Sequence, residues 1–255
     1  MPWCRITAAP CATPTRKKCC RRCTMSDRVT LREIAANLLY PPRCLLCGSL
    51  CGWEETLCPA CREKWPQAGC RLEENQFGCQ KLLWCAPYEG VFRRGMEQFK
   101  FQGVRESGRL FGGLLAEAIR QSGILPELTA VTYVPMPPER ERHRGYNQSA
   151  LLAKYLSQEL NLPLREGVLA REGRATAHAA QGRAARIALA GESYRAGKKK
   201  LPQGECILLV DDILTTGATI ENCAALLKEQ GAGRAYGAAV LRTPGSEQKD
   251  KKDKL

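Results

Sequence analysis

The segment at residues 206–219, C-I-L-L-V-D-D-I-L-T-T-G-A-T, constrains the fold of this chain more than any other. Its apolar, partly β-branched start at 207–210 is typical of a strand buried on both faces of a parallel sheet. From Ile220 onward, apolar residues recur three and four positions apart, which predicts a helix. Asp211, Asp212 and a small polar turn separate the two elements. The sequence therefore predicts an α/β fold with acidic side chains at the carboxyl edge of its sheet.

The turn at 215–219 has the residue types that bind phosphate. Backbone N–H groups at a helix start attract an anion, and threonine hydroxyls add donors. Two adjacent carboxylates would repel that anion unless they bind something else, and both ribose hydroxyls and Mg²⁺ suit carboxylate oxygens. A sugar phosphate with a metal ion meets these demands together. A purely structural acidic pair stays open as the alternative, whereas an ATPase site is disfavoured because the chain has no G-x-x-x-x-G-K-[ST] loop.

Composition limits the classes of function. The 39 basic and 26 acidic residues give a net charge of +13, and residues 1–24 carry six of the basic residues and no acidic one, which leaves +7 on the rest. Such a surplus favours phosphorylated partners, either small molecules or nucleic acid. The sequence has no run of about 18 apolar residues, so no membrane span is predicted. Residues 1–24 also lack the apolar stretch of an export signal, which favours a cytoplasmic protein.

Fifteen cysteines are many for 255 residues. Four of them form two C-x-x-C pairs, Cys44 with Cys47 and Cys58 with Cys61, separated by ten residues. Paired knuckles of this kind bring four thiolates to a tetrahedral, structural Zn²⁺, and a redox role is the minor alternative. Cys51 is a spare thiol or an alternate ligand. The cysteines at positions 70, 79 and 85 have looser spacing, which does not favour a second metal site.

A second strand is predicted at 131–134, followed by the loop P-M-P-P-E-R-E-R-H-R-G-Y-N-Q at 135–148. Its three prolines predict that no helix forms there. Arg140 and Arg144 lie just beyond the strand, where guanidinium groups bind phosphate oxygens at two points and suit a pyrophosphate. A solvated basic loop is the alternative. Further helices are predicted near 92–100, at 106–121 and at 148–160, with a last strand at 234–241.

The remaining segments are predicted from composition. The segment 171–197, rich in Ala, Gly and Arg, is either a lid that closes over a polyanion or an exposed basic loop. Met25 begins a helical pattern that two prolines end at 41–42, which suggests that residues 1–24 follow from a start codon assigned too early. The predicted organisation is a disordered basic extension at 1–24, a helix at 25–42, a zinc ribbon at 43–85, a globular domain at 86–244 and a disordered tail at 245–255.

Taken together, these segments resemble the competence protein ComF family from about residue 31 to residue 242. The resemblance rests on P-P-R-C-L-L-C-G, C-P-A-C, Y-E-G with F-K-F-Q-G, V-P-M-P-P with R-G-Y-N-Q, and L-L-V-D-D-I-L-T-T-G-A-T. The last motif is similar to the one with which type I phosphoribosyltransferases bind 5-phosphoribosyl 1-pyrophosphate (PRPP). In the lid segment Arg186 and Tyr194 fit the family pattern, but Leu189 replaces an asparagine and Gln181 is out of register.

The resemblance implies a type I phosphoribosyltransferase-like parallel sheet flanked by helices, with a small N-terminal zinc ribbon. It implies that Asp211 and Asp212 are the catalytic-site residues that face the ribose and Mg²⁺ of PRPP. The loop that begins at Pro135 would meet the pyrophosphate. The 5-phosphate would be held by Thr215, Thr216, Gly217, Ala218 and Thr219. The partners that the resemblance implies are single-stranded DNA and a helicase-like competence ATPase.

Two functional hypotheses follow. In the first, the protein binds PRPP–Mg²⁺ and transfers phosphoribosyl to an unknown acceptor in connection with natural competence. Asp211 and Asp212 would then position the sugar ring rather than transfer protons. In the second, the protein is a non-catalytic nucleic-acid-binding module of the DNA uptake machinery, whose arginine-rich loops contact the phosphate backbone.

Overall fold

The computed structural model describes residues 41–52, 55–65, 70–171 and 194–244. The extension predicted at 1–24, nearly all of the helix predicted at 25–42, the central part of the predicted lid and the predicted tail lie outside these residues. The described residues from position 42 onward belong to one compact unit. Within the described ranges, no helix combines the length and apolarity that crossing a bilayer requires.

A five-stranded sheet forms the centre of the described structure, in the strand order β1-β2-β7-β6-β3. Strand β1 is antiparallel to β2, whereas β2, β7, β6 and β3 run parallel to one another. A separate antiparallel pair, β4 and β5, lies at the two ends of the predicted lid. The strands are β1 (Arg71–Gln76), β2 (Cys79–Pro87), β3 (Ala130–Tyr133), β4 (Leu169–Arg171), β5 (Tyr194–Ala196), β6 (Cys206–Leu214) and β7 (Arg234–Arg242).

Helices cover both faces of this sheet. The helices are α1 (Pro59–Lys64), α2 (Gly90–Phe101), α3 (Glu106–Gln121), α4 (Pro138–Arg144), α5 (Gln148–Leu160) and α6 (Ala218–Glu229), with a 3₁₀ turn at Leu125–Glu127. The helices predicted near 92–100, at 106–121 and at 148–160 are therefore confirmed, as are the strands predicted at 131–134 and 234–241, with shifts of a residue or two at their ends. Alternation of parallel strands with helices confirms the predicted α/β class.

Side chains of β6 alternate between two apolar layers. Leu208 and Val210 pack in the layer that contains α2, α3 and α5, whereas Ile207 and Leu209 pack in the layer that contains α6 and β4. All four side chains are fully buried. The prediction of a strand buried on both faces is confirmed, and the strand continues past the two aspartates to Leu214.

The sheet also includes residues 71–87, most of which were predicted to belong to the zinc ribbon. Strands β1 and β2 occupy residues 71–87, and β2 pairs with β7 from Lys81↔Tyr236 to Pro87↔Arg242. The sheet therefore begins upstream of the predicted domain boundary at residue 86. Cys79 and Cys85 are buried within β2.

The prediction that no helix forms at 135–148 is wrong, because α4 spans Pro138–Arg144. Pro138 is the first residue of the helix, where a missing N–H costs nothing and the fixed φ angle of proline suits the first turn. The other two prolines precede the helix. Gly145, with φ of 82°, ends it in the left-handed conformation that glycine adopts most readily. Asn147 then starts α5, because its side chain accepts hydrogen bonds from the N–H groups of Ser149 and Ala150 at 3.0 and 3.3 Å.

The first cysteine knuckle packs directly on α2. Leu46 is fully buried, and its carbonyl accepts a hydrogen bond from the Gln98 side chain at 3.4 Å. A Cβ added to Gly95 would lie 2.6 Å from Leu46 Cδ2 and 3.0 Å from the carbonyl oxygen of Leu45. Only glycine allows this approach without movement of the knuckle, so the ribbon and the helix share one closely packed contact.

Candidate functional site

The four cysteines of the two predicted knuckles form one cluster. The thiol sulfurs of Cys44, Cys47, Cys58 and Cys61 lie within 4.8 Å of one another, and those of Cys47 and Cys58 are 3.6 Å apart. Sulfurs around a tetrahedral Zn²⁺ with bonds of about 2.3 Å would lie about 3.8 Å apart. The predicted gathering of four thiols is confirmed, and its spacing fits a zinc ion.

Local structure explains how the thiols come together. Gly48 has a φ of 77° and its N–H bonds to the carbonyl of Cys44, which closes the first knuckle as a tight turn. Pro59 starts α1 directly after Cys58, so that Cys61 lies in the first helical turn. Burial opposes ionisation of Cys47, but hydrogen bonds from Ser49 and neighbouring thiols lower its pKa to about 6. A thiolate accessible at neutral pH suits a metal ligand.

No second cluster of three or more His, Cys, Asp or Glu side chains that could hold a metal ion occurs in the described residues. Cys70 is half-buried and its thiol donates to the carbonyl of Ala118 at 3.5 Å. Burial raises the pKa values of Cys79 and Cys85, which disfavours their thiolates. These three cysteines therefore behave as parts of the apolar core.

A second group of polar side chains lies where β6 ends. Asp211 and Asp212 occupy the last part of this strand, and Asp212 is nearly buried. One carboxylate oxygen of Asp211 accepts hydrogen bonds from the Ser149 hydroxyl and from the Asp212 N–H, both at 2.9 Å. Burial and the charge of Asp212 raise the pKa of Asp211 to about 7, although the hydrogen bonds and Lys100 act in the opposite direction. The aspartates therefore form a pair of carboxylates at the carboxyl edge of a parallel sheet.

Lys100 is a site residue to which the sequence analysis gave no role. It lies in the last turn of α2, and its ammonium group donates to a carboxylate oxygen of Asp212 at 2.8 Å. The side chains of Lys100 and Asp212 are only 17% and 12% exposed, so their charges are weakly screened. The ammonium group compensates a carboxylate that would otherwise be buried beside a second one. Lys100 lies in the motif F-K-F-Q-G, but it is 112 positions from Asp212 in the chain, so the sequence does not indicate the pairing.

The turn between β6 and α6 has the predicted order of elements. Thr215 and Thr216 are exposed in the turn, Gly217 is buried with a φ of 81°, and α6 begins at Ala218. Thr219 is half-buried in the first helical turn. A Cβ on Gly217 would lie 2.2 Å from the ring of Phe77, in the turn between β1 and β2. The position therefore requires glycine for both its backbone conformation and its close contact.

Of the two predicted pyrophosphate-binding arginines, Arg144 is the one on which the charge of a site carboxylate, Asp212, is seen to act. Its side chain is half-buried and donates to the Gln148 side chain at 2.7 Å. Burial lowers the pKa of Arg144, and the charge of Asp212 raises it. Arg140 is exposed one turn earlier on α4. The site thus combines two carboxylates, cations from two helices and a helix start, which can bind a phosphorylated sugar through its hydroxyls and phosphates.

The chemistry of this donor set also fits a divalent cation. Asp211 and Asp212 offer hard carboxylate oxygens at an edge where a bound phosphate would supply further oxygen ligands, the arrangement that Mg²⁺ prefers. The lid residues Gln181, Arg186 and Leu189 lie outside the described residues. Tyr194 is described, and it lies in β5 with its ring 5.0 Å from the Arg171 guanidinium.

Comparisons with known proteins cover the part of this site that β6, the turn and α6 form. The family model for the phosphoribosyl transferase domain matches residues 147–255. DNA utilization protein YhgH of Escherichia coli K12 is 30% identical over 212 residues, which cover 78% of this chain and 90% of that protein. Competence protein ComFC of Streptococcus pneumoniae R6 is 29% identical over 224 residues, which cover 74% of this chain and 95% of that protein.

Among solved structures, a purine phosphoribosyltransferase from Pyrococcus horikoshii matches 53% of this chain and 82% of its own at 19% identity, with a TM-score of 0.33. A score this low supports no argument about function. The fold assignment rests on the family model together with the parallel strand order and the β6–turn–α6 geometry. The predicted phosphoribosyltransferase-like sheet is confirmed on these grounds.

Proposed function

Because this chain belongs to the ComF family of competence proteins and contains a phosphoribosyltransferase domain, we propose that it binds PRPP together with Mg²⁺. The observation that carries the proposal is the carboxylate pair in the last part of β6, which two residues separate from the Thr-Thr-Gly turn that leads into α6. The turn and the helix start would hold the 5-phosphate, because their N–H and hydroxyl groups are donors. Asp211 and Asp212 would hold the ribose hydroxyls and Mg²⁺.

Phosphoribosyl transfer to an acceptor is the reaction that this arrangement suits. Mg²⁺ bound with the pyrophosphate would offset negative charge as that group leaves. Arg144 and Arg140 would bind the pyrophosphate oxygens from α4, the helix that carries both. Asp211 and Asp212 would orient the sugar ring and act as positioning groups for the reaction. The four-cysteine cluster would hold a structural Zn²⁺, because four thiolates leave no open position for chemistry.

Calorimetric titration with PRPP and Mg²⁺ tests the binding proposal. The Asp211→Asn, Asp212→Asn double variant should weaken binding about tenfold or more, which corresponds to about 1.4 kcal/mol. Glu127→Gln is the control, because it removes a carboxylate charge outside the candidate site. Glu127 pairs with Lys81 and with Arg234, the first residue of β7, and so lies at the opposite edge of the sheet. Equal affinities in wild type and the double variant would contradict the proposal.

Release of pyrophosphate from PRPP by the purified protein would establish catalysis. A compound that accelerates this release when it is added as acceptor would be a substrate. If PRPP–Mg²⁺ binds but no tested acceptor causes pyrophosphate release, PRPP would serve as a regulatory ligand rather than as a reactant.

Nucleic-acid binding is the second candidate function, because the net charge of +7 outside residues 1–24 favours phosphorylated partners of this kind as well. A protein that neutralises several phosphates shows a steep fall in affinity with rising salt. We expect binding of a single-stranded oligonucleotide to show such a slope. Affinity that does not change between low and high salt would contradict this function. A helicase-like competence ATPase as partner in DNA uptake is part of the same proposal.

A further inference from the structure

Phe101 is an exposed aromatic side chain on a rigid support. It ends α2 and is 70% exposed, although it directly follows Lys100, whose ammonium group contacts Asp212. The end of the helix is held in place through Phe99, which is fully buried. The Tyr146 hydroxyl donates to the Phe99 carbonyl, and the two rings lie 5.7 Å apart. The exposed ring therefore stands on a fixed part of the structure.

Arg144 lies over the ring of Phe101. The central carbon of its guanidinium is 4.9 Å from the ring centroid, within the range of a cation–π contact. The guanidinium is fixed from the other side, because Gln148, which accepts its hydrogen bond at 2.7 Å, is fully buried at the start of α5. The ring and the guanidinium are thus two planar groups that two different helices hold together at the surface.

Single exposed apolar side chains are common and need no explanation. Among the described residues, Leu50 and Leu72 are also large, apolar and exposed, at 62% and 38%. Phe101 differs from them in three respects: its ring is aromatic, a half-buried arginine stacks on it, and its neighbour in the chain contacts a carboxylate of the candidate site. Arg144, which lies over the ring, is also a predicted pyrophosphate-binding residue on which the charge of Asp212 acts, so that a ligand on the ring would lie beside that site.

We propose that Phe101 and Arg144 form a stacking platform for a planar nucleobase. The proposal rests on the proposed function in one respect, since it places the base beside a PRPP site. Every nucleobase has a π face that stacks on an aromatic ring, and arginine adds a cation–π contribution. Such a base comes either from a free acceptor or from single-stranded nucleic acid. If the platform binds a free acceptor, that acceptor is a nucleobase. If it binds a nucleic-acid strand, the strand contacts the protein through one of its bases.

Two probes distinguish the sources of the base. The first is a labelled oligothymidylate, measured by fluorescence anisotropy, and the second is free adenine, guanine or uracil, measured by equilibrium dialysis. Stacking contributes about 1–3 kcal/mol per base, so Phe101→Ala should weaken at least one probe by about 5- to 150-fold. Phe101→Tyr keeps the ring and should retain the affinity. Leu50→Ala removes an apolar side chain of similar exposure from the segment between the two C-x-x-C pairs, and it should not change the affinity for either probe.

The PRPP–Mg²⁺ affinity of Phe101→Ala separates the two proposals. We expect it to stay within about twofold of wild type, because the ring is outside the carboxylate pair and the phosphate turn, and because Arg144 keeps its hydrogen bond to Gln148 when the ring is removed. Absence of PRPP binding in the wild type, together with loss of a base probe in Phe101→Ala, would overturn the proposed function and leave the platform supported. The platform is overturned if the wild type binds no base probe, if Phe101→Ala binds both as wild type does, or if Leu50→Ala loses as much affinity.

Discussion

The ion pair between Lys100 and Asp212 is expected to stabilise the ligand-free protein measurably. The two charges are 2.8 Å apart and largely buried, so that their attraction is about 6 kcal/mol at an effective dielectric constant of about 20. Desolvation of both groups offsets most of this attraction. Lys100→Met removes the attraction and leaves two neighbouring carboxylates with less compensation. We therefore expect the variant to lose about 1–3 kcal/mol of its free energy of unfolding.

A double-mutant cycle isolates this contribution from other effects of the substitutions. Urea unfolding at neutral pH would compare the wild type, Lys100→Met, Asp212→Asn and the double variant, and we expect a coupling energy of about 1–2 kcal/mol. The pair of Arg93 and Glu97 is a matched control, because it lies on the same helix with side chains 60% and 38% exposed. A cycle on that pair should give about 0.5 kcal/mol or less.

A coupling between Lys100 and Asp212 no larger than that of the exposed control pair would refute a stabilising role for the buried ion pair. A Lys100→Met variant as stable as the wild type would contradict it as well, because an uncompensated carboxylate pair should destabilise the folded protein. Addition of Mg²⁺ alone gives a further readout. A cation that binds the carboxylates should recover part of the lost stability in Lys100→Met.

Three further predictions concern the two sites. The pKa of Asp211 is raised from 3.8 to about 7 in the folded protein, so between these pH values the folded protein holds a proton that the unfolded chain has lost. The free energy of unfolding should therefore fall as pH rises from about 4 to about 7. In urea unfolding over this range, Asp211→Asn should show a smaller fall than the wild type. Gly217→Ala should cost about 1–3 kcal/mol more than Gly204→Ala, because both positions have positive φ but only the former places a Cβ 2.2 Å from Phe77; equal losses in urea unfolding would contradict this. Removing zinc with a chelator should lower the melting temperature and weaken PRPP–Mg²⁺ binding in calorimetry, because the ribbon packs on the helix that carries Lys100; unchanged binding would count against that coupling.

The sequence predicted those features that depend on neighbouring residues. The apolar run at 207–210 specified a doubly buried strand because each of its side chains must face one of two layers. The two C-x-x-C pairs specified the thiol cluster because each knuckle is a local turn. The Thr-Thr-Gly turn was located for the same reason, since Gly217 needs its positive φ whatever the rest of the chain does.

Features that depend on distant residues were not predicted. The sequence indicated only a lysine at a helix end for Lys100, because it is the folded structure that brings this residue to Asp212. Strand β2 read as part of the ribbon, because its pairing with β7 joins segments about 150 residues apart. The helix at Pro138–Arg144 was not predicted for a local reason: a proline is compatible with a helix at the first helical position, which Pro138 occupies.

The close packing of Leu46 against Gly95 limits which substitutions the two positions can accept. The two residues belong to different modules, yet a side chain at position 95 has no room unless the knuckle shifts or residue 46 becomes smaller. Gly95 and Lys100 are separated by about 7.5 Å along one helix, so a shift of the knuckle would be transmitted to the carboxylate pair. Among relatives, positions 46 and 95 should therefore change together or not at all, and the cysteine module should resist transplantation without the helix beneath it.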